Sequence, residues 1–184
     1  MNGSNSSLKN PLLSRLLLTI TAVSVACFVS RMAYGAGELL TLPAPLVRSL
    51  NSVLKAGAGL HKSLVNQDEE QIEMGLRDMI FEIDQARATS RLSKPHERAH
   101  LTRILDAAKE QFELTQTAFG DERRARLEDA YNQLVNLARI YRLDRTYTIF
   151  FCAKDRTTWV QRGMKPQDPF KPDREPCGIP VPYK

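Results

Sequence analysis

Cysteine, histidine and tryptophan are scarce in this chain, at three, three and one of 184 residues. Each shortage removes a class of function. No C-x-x-C-H occurs, which excludes covalent haem attachment. Neither a glycine-rich phosphate loop nor a G-x-S-x-G turn is present, so the P-loop and the nucleophile elbow are excluded with them. Charge of one sign is missing too: Lys and Arg are interleaved with Asp and Glu rather than gathered on one stripe, so no nucleic-acid footprint is visible. Internal repeats and low-complexity tracts are absent.

Long apolar runs are also rare. The longest, Leu16 to Val29, is shorter than the about 20 residues a bilayer span takes. Lys9 and Arg15 precede it, and Ala33-Tyr34-Gly35 follows with small residues at the two positions a signal peptidase reads. Basic, apolar and cleavage regions stand in the order of a secretory signal covering residues 1–35, with cleavage before Ala36. An uncleaved anchor is the alternative, and Val25-Ala26-Cys27 offers a lipidated cysteine as a further one. Contact with a membrane is expected only in those two cases. The segment carries three basic residues and no acidic one. Its removal leaves 23 basic against 21 acidic, a net charge of +2, so the basic balance of the precursor belongs largely to targeting. A periplasmic or secreted bacterial protein is therefore expected.

Residues 36–146 read as plain amphipathic helix. Pro43 and Pro45 delay the first one, whose stripe of Leu46, Leu50, Val53, Leu54, Leu60 and Leu64 spans about 46–65. Gly57 and Gly59 each weaken it by about 1 kcal/mol relative to alanine. They mark either a close approach of another helix or a soft spot. Asn66-Gln67-Asp68 makes a turn and an N-cap. Ile72, Leu76, Met79, Ile80 and Ile83 then carry a second helix to about Ser90. Ser93 is expected to cap a third, with Pro95 just inside and Leu101, Ile104, Leu105, Ala108, Phe112 and Thr115 as its stripe. Asp121 is expected to cap the fourth, which buries Leu127, Ala130, Tyr131, Leu134, Leu137, Ala138 and Tyr141. Four such helices on short turns predict an all-α, up-down-up-down four-helix bundle. Met74 and Met79 are read as stripe residues rather than haem ligands.

The character changes in residues 147–184, the Cys-containing tail. Tyr147 to Cys152 is β-branched and aromatic, and either extends the fourth helix or forms a short extended piece. Beyond Gly163, six prolines from Pro166 to Pro182 forbid regular helix. An irregular tail packed on the bundle is expected, with Trp159 and Phe170 as anchors. Cys152 and Cys177 form an even pair once Cys27 leaves. A disulfide closing that loop is worth about 3 kcal/mol by the chain-entropy model. A pair of thiolate metal ligands is the sharper alternative, holding copper or zinc with Met164 or a histidine in support. His96-Glu97-Arg98-Ala99-His100 matches H-E-x-x-H, in which two histidines one turn apart hold zinc and the glutamate is general base. Arg98 inside the motif and Pro95 just before it argue for a solvated first turn instead, with adventitious metal binding by His96 and His100 or a zinc peptidase as remoter readings.

Phe151-Cys152, Trp159-Val160-Gln161, Pro169-Phe170 and Cys177-Gly178 together resemble the ending of an uncharacterised bacterial secreted domain family. That family is found alone or fused to periplasmic adaptor subunits of heavy-metal RND efflux pumps, and typically ends C-P-M, W-L, N-P-Y-F-G, M-x-x-C-G after a four-helix body. Leu60 to Asp68 and Asp121 to Leu137 resemble parts of that body. The match is degenerate: Ala153-Lys154 replace P-M, Asp168 the asparagine, Lys171 the glycine, and Arg174-Glu175-Pro176 carries no methionine. The resemblance implies an exported, non-enzymatic envelope module with an unidentified protein partner. The lost thioethers, with Met164 the one methionine left in the tail, shift its cysteines toward a structural role and imply no cofactor.

Overall fold

The computed structural model describes residues 39–183. The expected signal segment, its cleavage site and Cys27 lie outside the described residues. Among the described residues there are four helices, α1 (Ala44–Asn66), α2 (Glu69–Thr89), α3 (Pro95–Thr115) and α4 (Gly120–Ile140), with a 3-10 turn at Ser90–Leu92. Their apolar stripes face one core. Every stripe residue named above is buried except Ile80, which is half-buried, and Met74, which is exposed rather than part of the core. None of these helices is long and apolar enough to cross a membrane.

Helix ends follow local rules, with two departures from expectation. Gln67 closes α1 in the left-handed conformation, and the Asp68 side chain accepts from the Gln71 N–H at 3.1 Å to open α2. Ser93 does not cap α3. Lys94, pushed into extended backbone by the following Pro95, takes that place, and the Ser93 hydroxyl turns back to donate to the Ser90 carbonyl at 2.7 Å. Asp121 does not cap α4 either. Phe119 holds the cap position, and Asp121 lies inside the first turn, where it answers the helix dipole and pairs with Arg124 at 2.9 Å.

Gly57 marks a close approach. A Cβ there would stand 2.8 Å from Leu134 Cδ1, and the buried Tyr131 hydroxyl donates to the Gly57 carbonyl at 2.8 Å. This is where α1 and α4 meet. Gly59 has no such reason, since a Cβ there would touch nothing within 4 Å.

The all-α expectation is overturned by the tail. It forms a three-stranded antiparallel sheet, β1 (Tyr147–Cys152), β2 (Thr157–Arg162) and β3 (Ile179–Val181), in the order β2-β1-β3. Tyr147 pairs with Arg162, Phe150 with Trp159 and Cys152 with Thr157, while Phe151 pairs with Ile179. The reason lies in the residues: β-branched and aromatic side chains suit a pleated surface, and a tight turn over 153–156 folds the second half of the segment back onto the first. Pro180 fits because β3 is an edge strand, where a missing N–H costs no ladder bond. Across β1 and β2 the Phe150 and Trp159 rings stack at 5.7 Å. The face of β2 then packs on α1 and α4.

Candidate functional site

Both tail anchors are inside. Trp159 is fully buried, and its indole N–H donates to Gln161 at 2.8 Å. Phe170 meets the ring of Tyr131 edge-on at 5.7 Å. Gly178, at φ +144°, lies against the Trp159 ring, with room for no Cβ: the nearest ring carbon would be 2.9 Å away. The buried Gln161 side chain ties the stretch together, accepting from the Gln167 N–H at 3.1 Å and donating to the Lys165 carbonyl at 2.8 Å. A buried polar network satisfied in this way fixes one arrangement of the tail.

Cys152 at the end of β1 and Cys177 just before β3 lie at disulfide distance, with sulfurs 2.15 Å and Cα atoms 5.3 Å apart. Two aspartates converge on them. Asp155 comes from the β1–β2 turn and has an oxygen 3.7 Å from the Cys152 sulfur; Asp168 comes from the chain after β2 and has one 3.8 Å from the Cys177 sulfur. The four donor atoms lie within 4.8 Å of one another. Lys171 and Arg174 hold Asp155 as an ion pair, Arg174 at 3.2 Å, and the Lys171 hydrogen bond keeps its carboxyl below the usual range. Asp168 is buried. It accepts from the Phe170 N–H at 2.9 Å, yet burial pushes its carboxyl up. Its other oxygen faces a sulfur that, within a disulfide, has no hydrogen to donate.

The remaining expected site residues lie elsewhere. Met164 is exposed, and its sulfur accepts from the Thr148 hydroxyl at 3.4 Å rather than joining the cysteines. His96 is exposed and His100 half-buried in the first turns of α3. The His100 ring nitrogen stands 3.0 Å from the Tyr141 hydroxyl, whose pKa is pushed up to about 12 by burial and by the charge of Glu97. Among the described residues, no third His, Cys, Asp or Glu joins His96 and His100 in a ligand group. Glu97 lies near enough to Tyr141 for its charge to act on that hydroxyl. Asp155 as a neighbour of the cysteines escaped the sequence reading, and Asp168 entered it as a motif departure alone; the adjacency Cys152-Ala153-Lys154-Asp155 was the signal available.

Comparisons with protein-family models, with curated proteins and with solved structures find no match to this chain.

Proposed function

We propose that this chain is an exported, non-enzymatic helical-bundle protein of the cell envelope, periplasmic or secreted, acting as a binding or accessory module in the sphere of heavy-metal efflux adaptors. The observation that carries the reading is the Cys152–Cys177 pair at disulfide distance, since such links persist in oxidising compartments. The signal-like order of residues 1–35 and the resemblance of the tail support it further. Because Trp159 and Phe170 are buried, an envelope protein partner would meet the helix faces and clefts rather than the tail aromatics. The test is intact mass and metal content of protein purified from the periplasm without reductant, with thiol alkylation beforehand. A mass beginning at Ala36, two hydrogens light and unalkylated, is expected. Two alkylatable thiols would overturn the reading.

A second reading, a soft-metal site, has its own observation in the convergence of Cys152, Asp155, Asp168 and Cys177. Reduction of the disulfide by an external thiol or phosphine would supply two thiolates, completing a set of two sulfurs and two carboxylate oxygens. Such a mixed set suits zinc better than copper(I), which prefers soft ligands alone. Four anionic donors beside Lys171 and Arg174 leave two net negative charges, the complement of one divalent ion. Competition with a chromophoric zinc chelator separates the states. One zinc per reduced chain, none per oxidised chain and weaker uptake by Asp168→Asn are expected; equal uptake by both redox forms, or by neither, would sink the reading.

A further inference from the structure

Several cations of this surface are answered by carboxylates. Arg123 bridges Glu69 and Glu73, Arg87 pairs with Asp106, Lys109 with Asp84, and Lys171 and Arg174 with Asp155. Three others, without such a partner, gather at one place. A cleft of about 520 Å³ lies between a face of α1 and the Tyr147–Arg162 end of the sheet, and among the described residues its lining holds Lys55, Lys62 and Arg162 but no carboxylate. None of these three side chains makes a hydrogen bond or ion pair among the described residues. Asp144 acts electrostatically on Tyr147 at the sheet end but does not line the cleft.

The walls are built by fixed elements. Lys55, Gly59 and Lys62 fall at i, i+4 and i+7 and so share one face of α1. Arg162 is the cross-strand partner of Tyr147 at the mouth of the hairpin. His61 ties the two walls together from below: it is buried, kept neutral by desolvation, and bonded through Nε2 to the Gln167 carbonyl at 2.8 Å. Gly59 has no packing reason to lack a side chain, and one there would project into open space at the border between this cleft and a neighbouring one, which Lys55 also lines together with Asp78 and Glu82. The volume suits a small ligand, since such sites run from about 300 to 1,000 Å³.

We infer that this cleft binds an oxyanion of two or more negative charges, of the phosphate class, with the planar guanidinium of Arg162 taking two oxygens and Lys55 and Lys62 supplying point charge. Three unanswered cations around one concavity raise the local potential, and a multiply charged anion relieves that repulsion where a chloride relieves little of it. The fork of Arg162 matches phosphate geometry. The same group occurs on soluble organic phosphates and on phospholipid headgroups. The inference stands apart from the redox state of the cysteines.

Inorganic pyrophosphate is the probe, in calorimetric titrations of the full exported chain at two salt concentrations, with phosphatidylglycerol vesicles as a second arm. Saturable binding that weakens with salt is expected, with a loss of roughly tenfold or more in Arg162→Gln from the missing charge-assisted hydrogen bonds. Lys55→Gln and Lys62→Gln should each weaken it, and Gly59→Leu should block it without changing any charge. All four positions are exposed, so circular dichroism of each variant should match the parent. Pyrophosphate that displaces the chain from vesicles would assign a lipid headgroup, and pyrophosphate binding without vesicle binding a soluble phosphate; both support the site. Absence of saturable pyrophosphate binding, or equal affinity in Arg162→Gln and Gly59→Leu, would overturn it.

Discussion

The helical body and the C-terminal tail solve the same problem by different means. In the body, four apolar stripes bury one another, and the surface ion pairs are exposed contacts of small individual worth. The tail has strands of six, six and three residues, too little on their own for a stable sheet. It is held by Trp159 and Phe150 against the bundle, by Gln161 inside, by Asp155 between Lys171 and Arg174, and by the cysteine pair. Where apolar area runs short, cross-links and satisfied buried polar groups replace it.

The sharpest way to break that division is Trp159→Ala, which removes the largest fully buried side chain, the one that joins tail to body. A loss of about 3–5 kcal/mol is expected from the cavity and lost burial, read as a shifted denaturant midpoint. If the loss stays under about 1 kcal/mol, the tail is not part of the cooperative core. Replacing both cysteines by alanine should cost about 2–4 kcal/mol in global unfolding. Hydrogen exchange should show the effect concentrated in β1 and β3, with α2 and α3 keeping their protection; equal loosening everywhere would erase the distinction between the regions.

Within the body, Gly57 and Gly59 form an internal control. Gly57→Ala presses on Leu134 and should destabilise by about 1–3 kcal/mol, whereas Gly59→Ala, with nothing near its Cβ, should stabilise by up to about 1 kcal/mol. Thermal melts decide the pair, and equal signs would refute the close approach assigned to Gly57. The smallest effect is on pH dependence, where Asp155 and Asp168 pull in opposite directions. Asp155 has a folded pKa below its unfolded value, through Lys171 first. Its contribution is present above the unfolded pKa and is lost as pH falls through the folded one. Asp168 has a folded pKa raised by burial, so its contribution is present below the unfolded pKa and is lost as pH rises through the folded one. Acid titrations of stability should therefore flatten at the low end in Asp155→Asn. In Asp168→Asn the decline above the ordinary carboxylate range should disappear, with the Phe170 N–H still accepted by the amide oxygen. Unchanged profiles in both would mean that neither carboxyl differs between the folded and unfolded chain.

The helices were legible because their signal is local. Leu101, Ile104, Leu105, Ala108 and Phe112 announce a buried face by spacing alone, and that face is buried. Caps were less so: Ser93 and Asp121 have the right chemistry, but Pro95 and Gly120 moved each helix start by a residue or more. The strand at Tyr147–Cys152 could not be told from a helix extension, because its composition suits both and only the partner decides. That partner, Thr157–Arg162, shows locally only Trp159 as an anchor, and nothing in its spacing marks it as the other half of a ladder.

The sequence by itself determined the four amphipathic helices, their order and the pairing candidates among the cysteines, since periodicity and residue chemistry act within a few positions. Only the tertiary structure decided that the tail is a sheet, that Asp155 and Asp168 meet at Cys152 and Cys177, and that Lys55, Lys62 and Arg162 share a cleft with no carboxylate among the described residues that line it. Asp155 lies only three residues from Cys152, but the two halves of that cluster are 25 positions apart and Lys55 is 107 from Arg162, and no spacing rule reaches that far: loop closure and strand register, set when the tail folds onto α1 and α4, bring them together.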